Sequence, residues 1–69
     1  MSVSKKNVLI IAGSDSIGGA GVQADIKSCE AFGCFSASVI TAVTAQNTNG
    51  VSSVLAMPAS MVKAQFEMV

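Results

Sequence analysis

The first apolar block of the chain, Val8-Leu9-Ile10-Ile11-Ala12, stops abruptly at Gly13. A short unbroken run of this kind predicts a strand buried on both faces, as in parallel sheets. From Gly13 to Gly21 the pattern dissolves. Four of the six glycines fall there, together with Ser14, Asp15 and Ser16. That composition predicts a loop suited to unusual backbone angles or to close approach of a ligand. Ala20 to Phe32 reads as a helix, with Gly33 as its C-terminal stop. Phe35 to Gln46, rich in Val, Ile and Thr, predicts a second strand. Asn47-Thr48-Asn49-Gly50 predicts a turn, and Val51 to Met57 a third strand. Pro58 then opens a second helix, with Ser60 as a candidate N-cap.

Strand, loop, helix, strand, strand, helix is the order of an α/β layered fold. No internal repeat, low-complexity segment or linker interrupts it. Met61, Val62, Phe66, Met68 and Val69 give the last helix a wide apolar sector, against little more than Lys63 and Glu67 on the polar side. Such a helix is expected to be largely buried, and two helices do not cover both faces of a parallel sheet. The expectation is therefore that residues 1–69 are the N-terminal part of one larger, incomplete α/β domain.

Composition narrows the function classes. A domain of about 60 residues buries only ~60% of its unfolded surface. With 51% hydrophobic and 12% charged residues the chain is not of the disordered kind, and it resembles part of a bigger core. Four lysines balance four acids, so no basic patch is available to neutralise a nucleic-acid backbone. Histidine is absent and the cysteines are Cys29 and Cys34 alone. That removes a Ser-His-Asp triad, a Cys-His pair and a Cys/His zinc site from this chain, and leaves two reduced thiols of a cytosolic protein. Lys5 and Lys6 ahead of the apolar block imitate a signal peptide, but five apolar residues fall short of an h-region of ~7–15. Nothing approaches the ~20 apolar residues of a membrane span. The expected location is cytoplasmic.

The glycine loop admits several readings. Glycine-rich strand-to-helix loops bind phosphate because helix N-terminal N–H groups point into them. Gly13 and Gly18 have P-loop spacing, but Gly19 and Ala20 stand where Lys and Ser or Thr must be. Gly19-Ala20-Gly21-Val22-Gln23-Ala24 matches the dinucleotide fingerprint literally. Its context does not match, since Gly19 comes seven residues after Ala12 and the second strand ends in Gln46-Asn47 rather than an acid. A loop whose glycines only make a tight turn stays open beside these. At about 100° per residue, Val22, Ile26, Cys29, Phe32 and Gly33 share one helix face, and Asp25 falls inside that stripe. A carboxylate there needs hydrogen bonds, either from backbone N–H groups of the loop or from a ligand. On the second strand Ile40, Ala42, Thr44 and Gln46 share a face that turns small and polar toward its C-terminal end, where ligands of open α/β sheets sit. Gln46 either caps the following turn or offers a donor and an acceptor side by side, which suits an aminopyrimidine edge.

Two blocks carry a family resemblance. Ile11-Ala12-Gly13-Ser14-Asp15-Ser16-Ile17-Gly18-Gly19-Ala20-Gly21-Val22-Gln23-Ala24-Asp25-Ile26-Lys27 resembles the opening signature of the hydroxymethylpyrimidine/phosphomethylpyrimidine kinases of thiamine biosynthesis. Ser38-Val39-Ile40-Thr41-Ala42-Val43-Thr44-Ala45-Gln46-Asn47-Thr48 resembles their second block. The resemblance implies a ribokinase-like three-layer α/β sandwich. It also implies ATP-dependent phosphorylation of 4-amino-5-hydroxymethyl-2-methylpyrimidine and then of its monophosphate. Pyridoxine kinases share the fold and much of the first block, while Ala45-Gln46-Asn47-Thr48 is closer to the pyrimidine branch. Carried over, Gln46 pairs with the pyrimidine's amino group and ring nitrogen. Gly13, Ala20 and Thr44 line the ring, and Asp25 is the acid near the pocket. Ile17 stands where many members have a small polar residue. ATP and Mg²⁺ are the implied cofactors. Their sites, the glycine-rich oxyanion segment and its catalytic Cys or Asp belong to downstream parts of the family, so no catalytic or metal-binding residue is expected in residues 1–69. The implied partner is a small-molecule pyrimidine, without nucleic acid or membrane, and homo-oligomerisation stays open.

Overall fold

The structure, a computed structural model, describes residues 6–69, so Lys5 of the basic pair lies outside it. The elements are β1 (Asn7–Ala12), α1 (Gly21–Ala31), β2 (Phe35–Ile40), β3 (Ala42–Asn47), β4 (Gly50–Ala56) and α2 (Ala59–Met68). Strands β1 and β2 run parallel, in register from Asn7↔Phe35 to Ala12↔Ile40. Parallel neighbours need a crossover connection, and α1, packed on both strands, supplies it. Ile10 and Val39 sit on successive register lines and therefore on opposite faces of the sheet. Both are buried, Val39 completely, as is Val22 in the first turn of α1. Strand β1 itself is buried on one face only among the described residues: Ile10 is covered, while Leu9 and Ile11 on the other face are exposed, so the two-faced burial that the apolar block predicts is not seen there. Helix α2 packs against β2. Its Gln65 amide grips one residue of that strand, Oε1 accepting the Ile40 N–H and Nε2 donating to the Ile40 carbonyl, each at 2.8 Å.

Helix α1 ends as its sequence predicts. Gly33 adopts φ +70°, its N–H donates to the Glu30 carbonyl at 3.1 Å, and the Cys34 N–H donates to the Cys29 carbonyl at 2.8 Å. These paired bonds satisfy carbonyls that a helix end leaves without partners. The start is one residue later than the pattern predicts. Ala20 is extended and Gly21, at φ +65°, is the first helical residue.

Three further expectations are corrected. The long second strand is two strands, parted at Thr41. The Thr41 N–H donates to the Ala12 carbonyl at 3.0 Å, while its own carbonyl accepts the Met57 N–H at 2.8 Å. Strand β1 runs out at the glycine loop, so the chain changes partners there, and β3 pairs antiparallel with β4. Ser60 does not cap α2. Pro58 holds that place, and its carbonyl accepts the N–H groups of Met61 at 2.9 Å and Val62 at 3.1 Å. The apolar sector of α2 is not buried among the described residues: Met61, Phe66, Met68 and Val69 are exposed.

The turn between β3 and β4 is where Asn47 to Gly50 predicts it. Asn47 and Gly50 are themselves paired across the hairpin, and the Asn49 N–H donates to Asn47 Oδ1 at 2.8 Å. Thr48 and Asn49 are thus the two loop residues, and Gly50 already belongs to β4.

A methyl group added at Gly21 would lie 2.6 Å from the Gly13 carbonyl oxygen and 3.0 Å from the Asp15 nitrogen, whereas one at Gly33 meets nothing within 4 Å. Both positions have left-handed φ. Gly21→Ala is expected to lose about 2–3 kcal/mol and Gly33→Ala about 1 kcal/mol, read by chemical denaturation of the protein. Equal losses would contradict the crowding at Gly21. Expressed by itself, the 69-residue chain is expected to self-associate at micromolar concentration, because Leu9, Ile11, Phe32, Phe35, Phe66 and Met68 are exposed. Sedimentation velocity checks this, and a monomer with a cooperative melt would contradict it.

Candidate functional site

The loop between β1 and α1 is organised from inside by Asp15. Its side chain is 5% exposed, and it is the only buried charged residue among those described. Oδ1 accepts the Ile17 N–H at 3.2 Å and Oδ2 accepts the Ala20 N–H at 2.8 Å. The Asp15 N–H donates to Gln23 Oε1 at 2.7 Å, the Gly18 N–H to the Asp15 carbonyl at 3.0 Å, and the Val22 N–H to the Gly13 carbonyl at 2.8 Å. Lys27 Nζ donates to the Gly18 carbonyl at 3.2 Å. The N–H groups of Asp15, Ile17, Gly18, Ala20 and Val22 are thus bonded within the loop and to the first turns of α1. With Gly19 and Ala20 in place of the Lys and Ser or Thr of a P-loop, the loop also lacks the side chains that hold a nucleotide's outer phosphates and metal.

The outer half of the loop is stitched to β3. The Ser14 N–H donates to the Ala42 carbonyl at 2.9 Å, continuing the sheet one step past Gly13. Beyond that step, side chains replace the main-chain ladder. Thr44 Oγ1 donates to the Ser14 carbonyl, and the Thr44 N–H donates to Ser14 Oγ at 3.4 Å. Ser16 Oγ accepts the Gln46 N–H at 2.9 Å and donates to the Gln46 carbonyl. The hydroxyls span a gap that opens as the loop diverges from the strand, and they fix the height of Thr44 and Gln46 above the sheet end. Gln46 Nε2 donates to Thr44 Oγ1 at 2.6 Å.

Strand β4 contributes a bulge at this level. Ala45 pairs with Ser53 but Gln46 pairs with Val51, so Ser52 is the extra residue. Bulges re-aim side chains next to binding sites. Ser16, Thr44, Gln46, Asn47 and Ser52 line an open groove of about 590 Å³ at this end of the sheet.

Of the residues picked out in the sequence, Thr44 and Gln46 come together in the groove, half-buried on one face of β3. Gly13 lies beside them through Ser14 and Ala42. A methyl group on it would come no nearer than 3.5 Å to the Ala42 carbonyl oxygen, so the chain's own packing does not demand a glycine there. Ala20 is held by Asp15 at the head of α1. Asp25 is not the satisfied carboxylate that the helix pattern predicts. It is exposed, on the same flank as Phe32, which is 85% exposed, and the loop N–H groups go to Asp15 instead. The inward face of α1 is narrower than the apolar stripe, with Val22 buried and Cys29 half-buried, while Ile26 and Phe32 face outward. Sequence reasoning passed over Ser14, Asp15 and Ser16 as anchors. The signal was present in the matched two-residue spacing of Ser14 and Ser16 against Thr44 and Gln46.

Residues 15–69 match the family described as phosphomethylpyrimidine kinase. The chain belongs to the phosphomethylpyrimidine kinase family. It is 59% identical over 61 residues to the hydroxymethylpyrimidine/phosphomethylpyrimidine kinase of Rhizobium meliloti, covering 88% of this chain and 23% of that protein. The crystal structure of phosphomethylpyrimidine kinase from Clostridium difficile superposes with a TM-score of 0.90 at 54% identity, over 94% of this chain and 28% of that one. Pyridoxal kinase from Staphylococcus aureus, in complex with AMP-PCP and pyridoxal, is a more distant neighbour, with a TM-score of 0.83 at 33% identity over 94% of this chain and 25% of that one. The chain thus spans about a quarter of the length of these kinases. The likeness bears out the ribokinase-like α/β fold, and the higher identity to the pyrimidine kinases agrees with the reading of Ala45-Gln46-Asn47-Thr48. No helix among the described residues is long and apolar enough to cross a membrane.

Asp15→Asn keeps the size of the side chain but turns an NH₂ donor toward one of two N–H groups. A loss of about 1–3 kcal/mol in denaturant unfolding of the protein is expected, larger than that of Asp25→Asn. The reverse order would show that the loop does not hang on Asp15.

Proposed function

We propose that residues 1–69 form the N-terminal, acceptor-binding part of a single ribokinase-like kinase domain that phosphorylates 4-amino-5-hydroxymethyl-2-methylpyrimidine and then its monophosphate in thiamine biosynthesis. The observation that carries the reading is the Gln46 amide at the groove. One N–H is taken by Thr44, and among the described residues nothing bonds Oε1. The acceptor and the second N–H form the edge that complements an amino group next to a ring nitrogen. Gly13 leaves room for a flat ring beside β3, and Thr44 lines the groove next to Gln46; Ala20, which lies outside the groove lining, enters through the family resemblance alone. Asp25 enters through the family resemblance alone. The matches to pyrimidine kinases support this substrate over pyridoxal.

ATP is the donor in this proposal, with Mg²⁺ as its counter-ion in the cytoplasm. The described residues do not fit either group, because no three His, Cys, Asp or Glu side chains come together among them and the glycine loop has no Lys and Ser or Thr at the P-loop positions. What these residues do is therefore confined to the acceptor. They bind the ring, orient it through Gln46, and hold the hydroxymethyl oxygen where a donor site elsewhere in the domain meets it. Phosphoryl transfer depends mainly on positioning and charge stabilisation, and this part supplies the positioning.

Gln46→Leu removes both groups of the amide edge, and Gln46→Glu sets a carboxylate against the ring-nitrogen lone pair. Both are expected to lower kcat/KM for the aminopyrimidine at least about tenfold, on the scale of a bidentate pair, with KM for ATP nearly unchanged. Steady-state kinetics of the full kinase, with each substrate varied in turn, checks this. Full efficiency in Gln46→Leu would make the glutamine a turn cap and remove the site. A loss of ATP affinity instead would assign the groove to the nucleotide.

A further inference from the structure

We infer that Thr44 is a positioning residue that sets which way round the Gln46 amide faces, and that it thereby selects an amino-bearing over an oxo-bearing pyrimidine edge. The inference rests on the proposed pyrimidine site. A hydroxyl has one proton to give and two lone pairs. The Ser14 carbonyl is an acceptor only, so the proton of Thr44 Oγ1 is committed to it. Toward Gln46, Thr44 Oγ1 then acts as an acceptor. The amide atom 2.6 Å away has to be the nitrogen, because an oxygen there would meet lone pair against lone pair. The chain of donors runs Gln46 Nε2–H to Thr44 Oγ1–H to the Ser14 carbonyl. It ends on main chain that is itself tied to β3 through the Ser14 N–H and the Ala42 carbonyl at 2.9 Å. Ser16 fixes the backbone of Gln46 from the other side, with Oγ bonded to both its N–H and its carbonyl.

With its backbone clamped and its nitrogen turned to Thr44, Gln46 keeps Oε1 and the N–H that lies alongside it. That edge accepts from an exocyclic amino group and donates to the neighbouring ring nitrogen. The oxo form of the same ring presents the inverse pattern, a carbonyl acceptor beside a ring N–H donor. Pairing with it requires the amide to turn over, which breaks the bond to Thr44. A glutamine that turned freely would serve both rings. The orienting hydroxyl, more than the glutamine itself, therefore makes the site selective.

The test compares two acceptors, 4-amino-5-hydroxymethyl-2-methylpyrimidine and its 4-oxo analogue, with the full kinase. Thr44→Val keeps the shape and removes the hydroxyl, Thr44→Ala does so with a smaller side chain, and Thr44→Ser keeps the hydroxyl. The ratio of kcat/KM for the amino over the oxo compound is expected to fall about tenfold or more in Thr44→Val and Thr44→Ala, and to stay near the parent value in Thr44→Ser. A residue that merely supported the fold would lower both efficiencies together and leave the ratio unmoved, which would overturn the inference. Failure of both Val and Ala variants to fold, with Thr44→Ser intact, would assign the hydroxyl to stability and overturn it equally. If Gln46→Leu retains parent efficiency with the amino compound, the pyrimidine site itself is wrong. An effect of Gln46→Leu without any change of ratio at Thr44 leaves the site standing and removes only the orienting role.

Discussion

The groove end of this molecule depends on hydroxyl groups standing in for a missing stretch of β-ladder. A parallel pair is held by evenly spaced main-chain bonds, and those require both strands to stay extended. Strand β1 cannot, because its chain must turn into the glycine loop and reach the head of α1. The gap that opens is bridged by Ser14, Ser16 and Thr44, each using side-chain oxygen where the sheet would use N–H and C=O. Without these bridges β3 and β4 would be a hairpin joined to the sheet through little more than Thr41. A two-stranded hairpin on its own is of marginal stability in water. The same bridges set the height of Gln46, so the anchoring of the hairpin and the placing of the amide are one set of bonds.

The glycine loop looks like a ligand cradle and works as a self-contained knot. Asp15 sits near its centre as a buried acceptor, and a buried carboxylate is tolerated when N–H groups surround it. Two such groups do so here, and Gln23 closes the loop from the helix side. A negative charge held at this point disfavours a second anion in the same place. The loop's contribution to the groove is accordingly geometric: it presents Gly13, Ser14 and Ser16 at a fixed distance from β3.

Much of this was legible in the residues themselves. The apolar block gave β1, the glycine at 33 gave the end of α1, and the polar turn at 47–50 gave the hairpin, because each rests on local backbone preference. The family resemblance and the α/β layering agree with the comparisons. What local pattern could not show was partner choice. Nothing in Val39 to Val43 marks Thr41 as the point where the strand leaves β1 for β4, since the cause lies far earlier in the chain, at Ala12, where β1 ends. Asp25 was misplaced for a related reason. A helical wheel treats every apolar position as inward, but a helix over a two-stranded sheet has a narrow footprint, and Phe32 and Ile26 fall outside it. Asp15 was hidden by its setting among glycines, where burial is not expected.

The grip of Gln65 on Ile40 has a different kind of consequence. An amide that accepts from one N–H and donates to the carbonyl of the same residue imitates a passing strand for the length of one residue. It therefore acts as a stop at the outer edge of β2. Any strand that extends the sheet on that side has to end short of Ile40. Sheet growth is thus limited at this end of β2 by a side chain of α2, and the position of that helix along the sheet is indexed to a single residue.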